Sequence, residues 1–152
     1  MPLISSPTTF YYHPLQDDGA QGETNLHALL KNMHPQLNEG EYVFCTVDNH
    51  FTITPGSIVC LFKETEGTTL ILNKQTADAL HLPYSYVAAW ITLTVHSSLQ
   101  ATGLTAAFST ALAKAGISCN VVAAFYHDHI FVDKKDGEKA IAVLKALAQS
   151  TL

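Results

Sequence analysis

Residues 87–133 read VAAWITLTVHSSLQATGLTAAFSTALAKAGISCNVVAAFYHDHIFVD, and the fold is decided there. Ile91, Leu93 and Val95 alternate with Trp90, Thr92 and Thr94, the two-residue period of a strand with two different faces. The spacing then changes. Leu104, Ala107, Phe108, Ala111 and Leu112 form a helical stripe, and Gly116 stands where a helix-ending glycine belongs. SCNVVAAF (118–125) reads as a second strand, YHD (126–128) as a tight connection and HIFVD (129–133) as its antiparallel partner. Ile141, Leu144 and Leu147, flanked by Ala140 and Val143, mark an amphipathic last helix. The order is β-α-β-β-α.

The first half follows a related grammar. Leu26, Leu29, Leu30 and Met33 share one helical face, with Thr24 or Asn25 as the N-cap and Pro35 marking the end. EYVFCTVD (41–48), SIVCLFKE (57–64) and EGTTLILN (66–73) read as strands, and KQTADALHL (74–82) as a short helix closed by Pro83. Residues 1–22 mix Pro, Ser, Gly and Asp with TTFYY and are expected to form an irregular N-terminal arm. The expected organisation is that arm, a first module over 23–83 and a second over 84–152. Strands joined by short turns, with helices on one face, indicate an α+β fold of two ferredoxin-like modules. Modules this small are marginal alone, so they are expected to share strands or a helical layer.

Composition removes several classes of function. Hydrophobic residues make up 47% and charged residues 14%, ample for a core and unlike a disordered chain. The formal charge of -5 opposes nucleic-acid binding, and no apolar run is long enough to span a membrane. All eight basic residues are Lys, so a forked guanidinium clamp is impossible and an anion must be held by backbone N–H groups, hydroxyls or Lys. Cys45, Cys60 and Cys119 are widely spaced and contain no C-x-x-C, a reduced pattern that suits the cytoplasm.

The strings LTVHSSL, GLTAA, AGIS-N and YHDHIFV, within 90–132, resemble the second module of a small family of stand-alone tandem ACT-domain proteins. Residues 22–47 and 66–80 are similar to the first module, so the resemblance spans about Glu23 to Leu147. It implies the βαββαβ ACT fold with antiparallel sheets, and a regulatory role in binding an amino acid as a homodimer. Aspartate kinases carry such modules as appendages. The animal cytosolic arginine sensor has a similar AGIS strand followed by a phenylalanine and an Asp-His pair, which here are Ala115 to Ser118, Phe125 and Asp128-His129.

The same resemblance places the ligand between first strand and first helix of a module, which here is the loop HSSLQATG (96–103). With Thr102 as a cap, the free N–H groups near Gly103, Leu104 and Thr105 would carry the positive end of the helix dipole toward a carboxylate. Gly103 has no Cβ to keep a ligand away. The alternative is an ordinary capped turn. Ser97 and Ser98 would line the loop, and Asn120 and Val121 would face the groove from the next strand. Asp128 would accept from a ligand ammonium, or else close a hairpin turn through its own backbone. The expected ligand-binding set is therefore Ser97, Ser98, Thr102, Gly103, Leu104, Asn120, Val121 and Asp128.

His127 and His129 sit two apart, but zinc needs three or four ligands, and neither His96 nor Cys119 supplies a recognisable spacing. A structural or surface pair is the expectation, with no metal and no cofactor. No G-x-S-x-G, P-loop or G-x-G-x-x-G occurs, and a Ser97/Ser98, His96, Asp128 trio has no supporting spacing. The expectation is a binding protein and not an enzyme. A metal-dependent or remnant amino-acid-pathway enzyme and a ligand-free interaction module stand as alternatives.

Overall fold

The computed structural model describes residues 14–15 and 21–150, so the arm read over 1–22 lies almost wholly outside it. In chain order the elements are α1 (Leu26–Lys31), β1 (Pro35–Leu37), β2 (Tyr42–Val47), β3 (Ile58–Lys63), β4 (Thr68–Asn73) and α2 (Lys74–Ala79). There follow β5 (Val87–Leu93), α3 (Leu104–Lys114), β6 (Asn120–Ala123), β7 (Asp128–Asp133) and α4 (Gly137–Gln149).

All the strands join one antiparallel sheet in the order β3-β4-β2-β5-β7-β6, with β1 also on β5. β7 runs along one edge of β5. The other edge is divided: β1 pairs with Ile91 to Leu93, and β2 with Val87 and Ala88. The second module (β5, β6, β7) thus takes its fourth strand from the first half, and the first module (β2, β3, β4) takes its fourth from the start of β5. The expected sharing of strands is present.

The helices lie on one face, as expected. α1, α3 and α4 cover a core that includes Leu29, Met33, Ile91, Phe108, Ile130 and Leu144. Ala77 of α2 packs on Val43, Cys45, Leu70 and Leu72. On the helix-free face Tyr42, Phe44, Tyr86, Trp90 and Phe131 form an aromatic cluster, with Tyr42 edge-on to Trp90 at 5.2 Å and Phe44 edge-on to Phe131 at 5.5 Å.

Local chemistry fixes several ends. Asn25 caps α1 by accepting from the Ala28 N–H at 3.0 Å. At the other end of α3, Gly116 takes a left-handed φ of 75° and the Ile117 N–H reaches back to the Leu112 carbonyl at 2.9 Å. That closure also buries Ile117 against the core.

Three details differ from the sequence reading. α1 stops at Lys31, and Pro35 opens β1 instead of ending the helix, a first-residue strand position where its missing N–H does no harm. The βαββαβ module that the resemblance implies is incomplete in the first half, where no helix stands between β2 and β3. Residues 48–57 form a loop with one 3-10 turn at Pro55–Ser57, because FTITP is β-branched and ends in proline. Finally β6 keeps only four residues and β7 begins at Asp128, so the turn is 124–127, closed by the Ala124 N–H on the His127 carbonyl.

Candidate functional site

The loop after β5 is held from outside. The Glu23 N–H donates to the His96 carbonyl at 2.9 Å, and the Ser98 N–H donates to the Glu23 carbonyl at 3.0 Å, a parallel bridge between Glu23 and Ser97. Gly22 permits this closeness. A Cβ there would stand 2.4 Å from the Ser98 nitrogen and 2.6 Å from the Ser97 carbonyl carbon, so only glycine fits. The Glu23 carboxylate accepts from the Thr24 and Asn25 N–H groups, which hold its pKa below the usual carboxylate value. Ser98 turns inward on the loop, its Oγ accepting from the Gln100 N–H at 3.2 Å.

Asp128 is the buried acid of the site. It is 7% exposed, on the helix-bearing side of β7 with Ile130 and Val132. Its side-chain partner is the Ser97 hydroxyl, at a long 3.5 Å. Burial raises its pKa, opposed by the Ser97 bond and by the neighbouring His129 and His127. It begins a strand; the turn before it is closed by backbone groups.

The helix start departs from expectation. Gly103, not Thr102, is the N-cap of α3, in a left-handed conformation (φ 96°) with no side-chain cap, and Thr102 is an exposed residue just before it. The turn needs a conformation that a threonine resists and glycine accepts. The space a Cβ would fill is taken by Leu26 of α1, whose Cδ2 lies 2.9 Å from it. Leu104 is buried in the core and offers only its backbone.

The second strand divides its two predicted residues. Val121 pairs with Ile130 and packs on the helix-side core. Asn120 pairs with Phe131, so its side chain stands on the helix-free side, donating to the Phe131 carbonyl at 3.3 Å. The structure brings Ser97 and Asp128 together and places Asn120 across the sheet from them.

The histidines also part. His127 Nδ1 lies 3.4 Å from the Val95 carbonyl. His129 Nδ1 lies 3.0 Å from Trp90 Nε1 and 3.1 Å from Thr92 Oγ1, whose hydroxyl accepts from Asn38 Nδ2. An indole N–H can only donate, so His129 Nδ1 accepts and the ring is the neutral Nε2–H tautomer. Its pKa is lowered, first by burial and then by His127, with Asp128 opposing. Among the described residues no three His, Cys, Asp or Glu side chains are grouped to hold a metal. Nor is any helix there long and apolar enough to cross a membrane.

Sequence reasoning missed Glu23, Gly22 and Leu26 as walls of this loop. Their pairing joins residues more than seventy positions apart, and the lone signal was a glycine ahead of a helix cap. For His129 the sequence leaves a structural and a surface role open, because its partner Trp90 lies on another strand.

A sheet shared between two halves, helices on one face, and a strand-to-helix loop beside a buried acid define a tandem ACT architecture. ACT domain models match residues 21–89 and 85–146, and the chain belongs to the ACT-domain family, with two domains in tandem. It is similar to a Vibrio cholerae protein of unknown function described as a possible transport protein, with 46% identity, a TM-score of 0.73, and 82% of this chain and 96% of that one covered. Two more distant likenesses show the fold alone. An Agrobacterium tumefaciens protein is 17% identical with a TM-score of 0.60, over 77% of this chain and 90% of its own. The regulatory subunit of aspartate kinase from Thermus thermophilus is 8% identical with a TM-score of 0.55, over 74% and 95%. No curated protein sequence matches.

Proposed function

We propose that the protein is a non-catalytic regulatory protein that binds a free amino acid at the Ser97–Asp128 end of its second module, and that it works as a cytoplasmic homodimer. The observation that carries the reading is Asp128. A carboxylate this buried, with one long side-chain contact, is costly unless it meets a cation, and an amino acid's ammonium is such a group. In a chain without arginine the ligand's own carboxylate needs backbone donors, and the start of α3 beside Gly103 is the nearest set along the loop. Tandem ACT domains and the likeness to an aspartate kinase regulatory subunit support a regulatory role. The three free thiols suit a reducing compartment. Leu99, Phe125 and Tyr126, apolar and exposed near the same end, support a site completed by a second copy.

A thermal-shift screen against the twenty amino acids tests this first, since a ligand bound only by the folded state raises the melting temperature. Calorimetry with the best amino acid then compares wild type with Asp128→Asn. A charge-assisted bond is worth about 1.5–3 kcal/mol, so the variant should bind roughly ten- to more than a hundred-fold more weakly. Unchanged affinity in Asp128→Asn would remove the site from this loop.

A further inference from the structure

Across β5 from Asp128, at the same end of that strand, a cleft of about 490 Å³ opens between the end of α1 and the end of α4. Its floor is apolar, made by Met33, Pro35 and Ala148, and its rim carries Lys31, Lys145 and His34. Met33 is 1% exposed, so the floor is continuous with the main core.

Lys31 and Lys145 line this cleft, and among the described lysines they share with Lys63 and Lys114 the lack of an acidic or carbonyl partner. Lys74 and Lys135 are paired with Asp78 and Asp133, and Lys134 and Lys139 donate to the carbonyls of Gly40 and Ala115. Lys31 and Lys145 have neither kind of partner among the described residues. The ends of both helices close there as well, with some of their last carbonyls already paired. The Asn32 N–H satisfies the Ala28 carbonyl, and Ser150 satisfies the carbonyls of Ala146 and Leu147 through its N–H and hydroxyl. The His34 carbonyl accepts from the Thr94 N–H and hydroxyl at 3.0 and 2.7 Å. Lys31 and Lys145 therefore line the cleft with no acidic side chain paired to them, beside an apolar floor, in a chain whose net charge is -5.

We infer that this cleft is a second ligand site, which takes a small organic carboxylate with an apolar body. The two ammonium groups hold the anionic head without the geometric fork an arginine would give, and Met33, Pro35 and Ala148 remove the body from water. The volume lies in the range of about 300–1,000 Å³ usual for small-molecule sites. None of its lining residues belongs to the Ser97–Asp128 site, although Thr94, just after β5, holds the His34 backbone.

The test is calorimetric titration of the full chain at low salt with octanoate, with acetate as the head alone and octanamide as the uncharged body. Octanoate should bind more tightly than either. Exposed charge pairs are weak, so Lys31→Gln and Lys145→Gln should each weaken octanoate about threefold and the double variant about tenfold, leaving octanamide unchanged. Lys63→Gln with Lys114→Gln, which alters charge equally but elsewhere, should change nothing. Asp128→Asn should also leave octanoate affinity intact, which separates this site from the proposed amino-acid site. No octanoate binding at millimolar concentration overturns the inference, as does a double variant that keeps wild-type affinity while circular dichroism shows it folded.

Discussion

Replacing Gly22 by alanine should loosen the Glu23 bridge to the loop, and the structure gives the size of the effect. The new methyl would sit 2.4–2.8 Å from the Ser98 nitrogen and from the carbonyl carbon and oxygen of Ser97, all backbone atoms that cannot swing aside. The two segments must separate, which breaks the Glu23-to-His96 and Ser98-to-Glu23 hydrogen bonds. At about 0.5–1.5 kcal/mol net each, the loss is about 1–3 kcal/mol. For a chain of this size that lowers the melting temperature by roughly 2–12 °C. Gly56→Ala is the control, because nothing lies within 4 Å of a Cβ there. It should be neutral or slightly stabilising, by about 0.4–1 kcal/mol, through the unfolded chain. Scanning calorimetry gives the global effect, and amide exchange at Ser98 gives the local one. A Gly22→Ala protein that melts with wild type and still protects the Ser98 amide would refute the close-approach argument.

Other outcomes follow from the site's electrostatics and surface. The folded-state pKa of Asp128 is raised, so between the unfolded and folded values the native carboxyl holds a proton that the unfolded chain has lost. Stability from this group is fully present below the unfolded value, falls as pH rises through the folded one, and stays low above it. Asp128→Asn should therefore melt higher than wild type at pH 7 and with it near pH 3, measured by calorimetry without ligand. His129 works in the opposite direction. With its folded pKa lowered, stability declines as pH falls below the ordinary imidazole value of about 6.5, and His129→Phe should flatten that decline in a pH series of melting temperatures. Phe125→Ser with Tyr126→Ser should shift sedimentation from dimer to monomer, and a wild type that sediments as a monomer would remove the dimer from the proposed function. Purified wild type should contain no stoichiometric zinc by mass spectrometry, since His127 and His129 face different partners.

The fold was legible because its signals are local and periodic. Leu104 to Leu112 could only be a one-faced helix, and Gly116 its stop, whatever lay around them. The first module was harder to read. FTITPG gives no period at all, and a three-residue strand at Pro35–Leu37 is too short to show one; it exists because β5 offers it an edge. The candidate site was legible only in part. The resemblance set Ser97 and Asp128 around one groove, so their meeting was accessible. The face of Asn120 depended on where β6 began, and a one-residue shift in a strand moves every side chain to the other side. Leu26 over Gly103 is a contact between two helices in different halves, which no local pattern encodes.

The divided edge of β5 has a consequence for how the chain reaches its native state. Neither half can finish its own sheet, so neither should populate a folded state by itself, and denaturation should be a single cooperative event in which both halves melt together. Cutting the backbone near Pro83 would leave one fragment carrying α1 and β1 without a sheet to join, and another whose β5 has one bare edge. Each fragment holds the strand the other lacks. Mixed together they should refold as a non-covalent heterodimer, so a chain that looks like two domains in its sequence behaves as one folding unit with an internal lock and key.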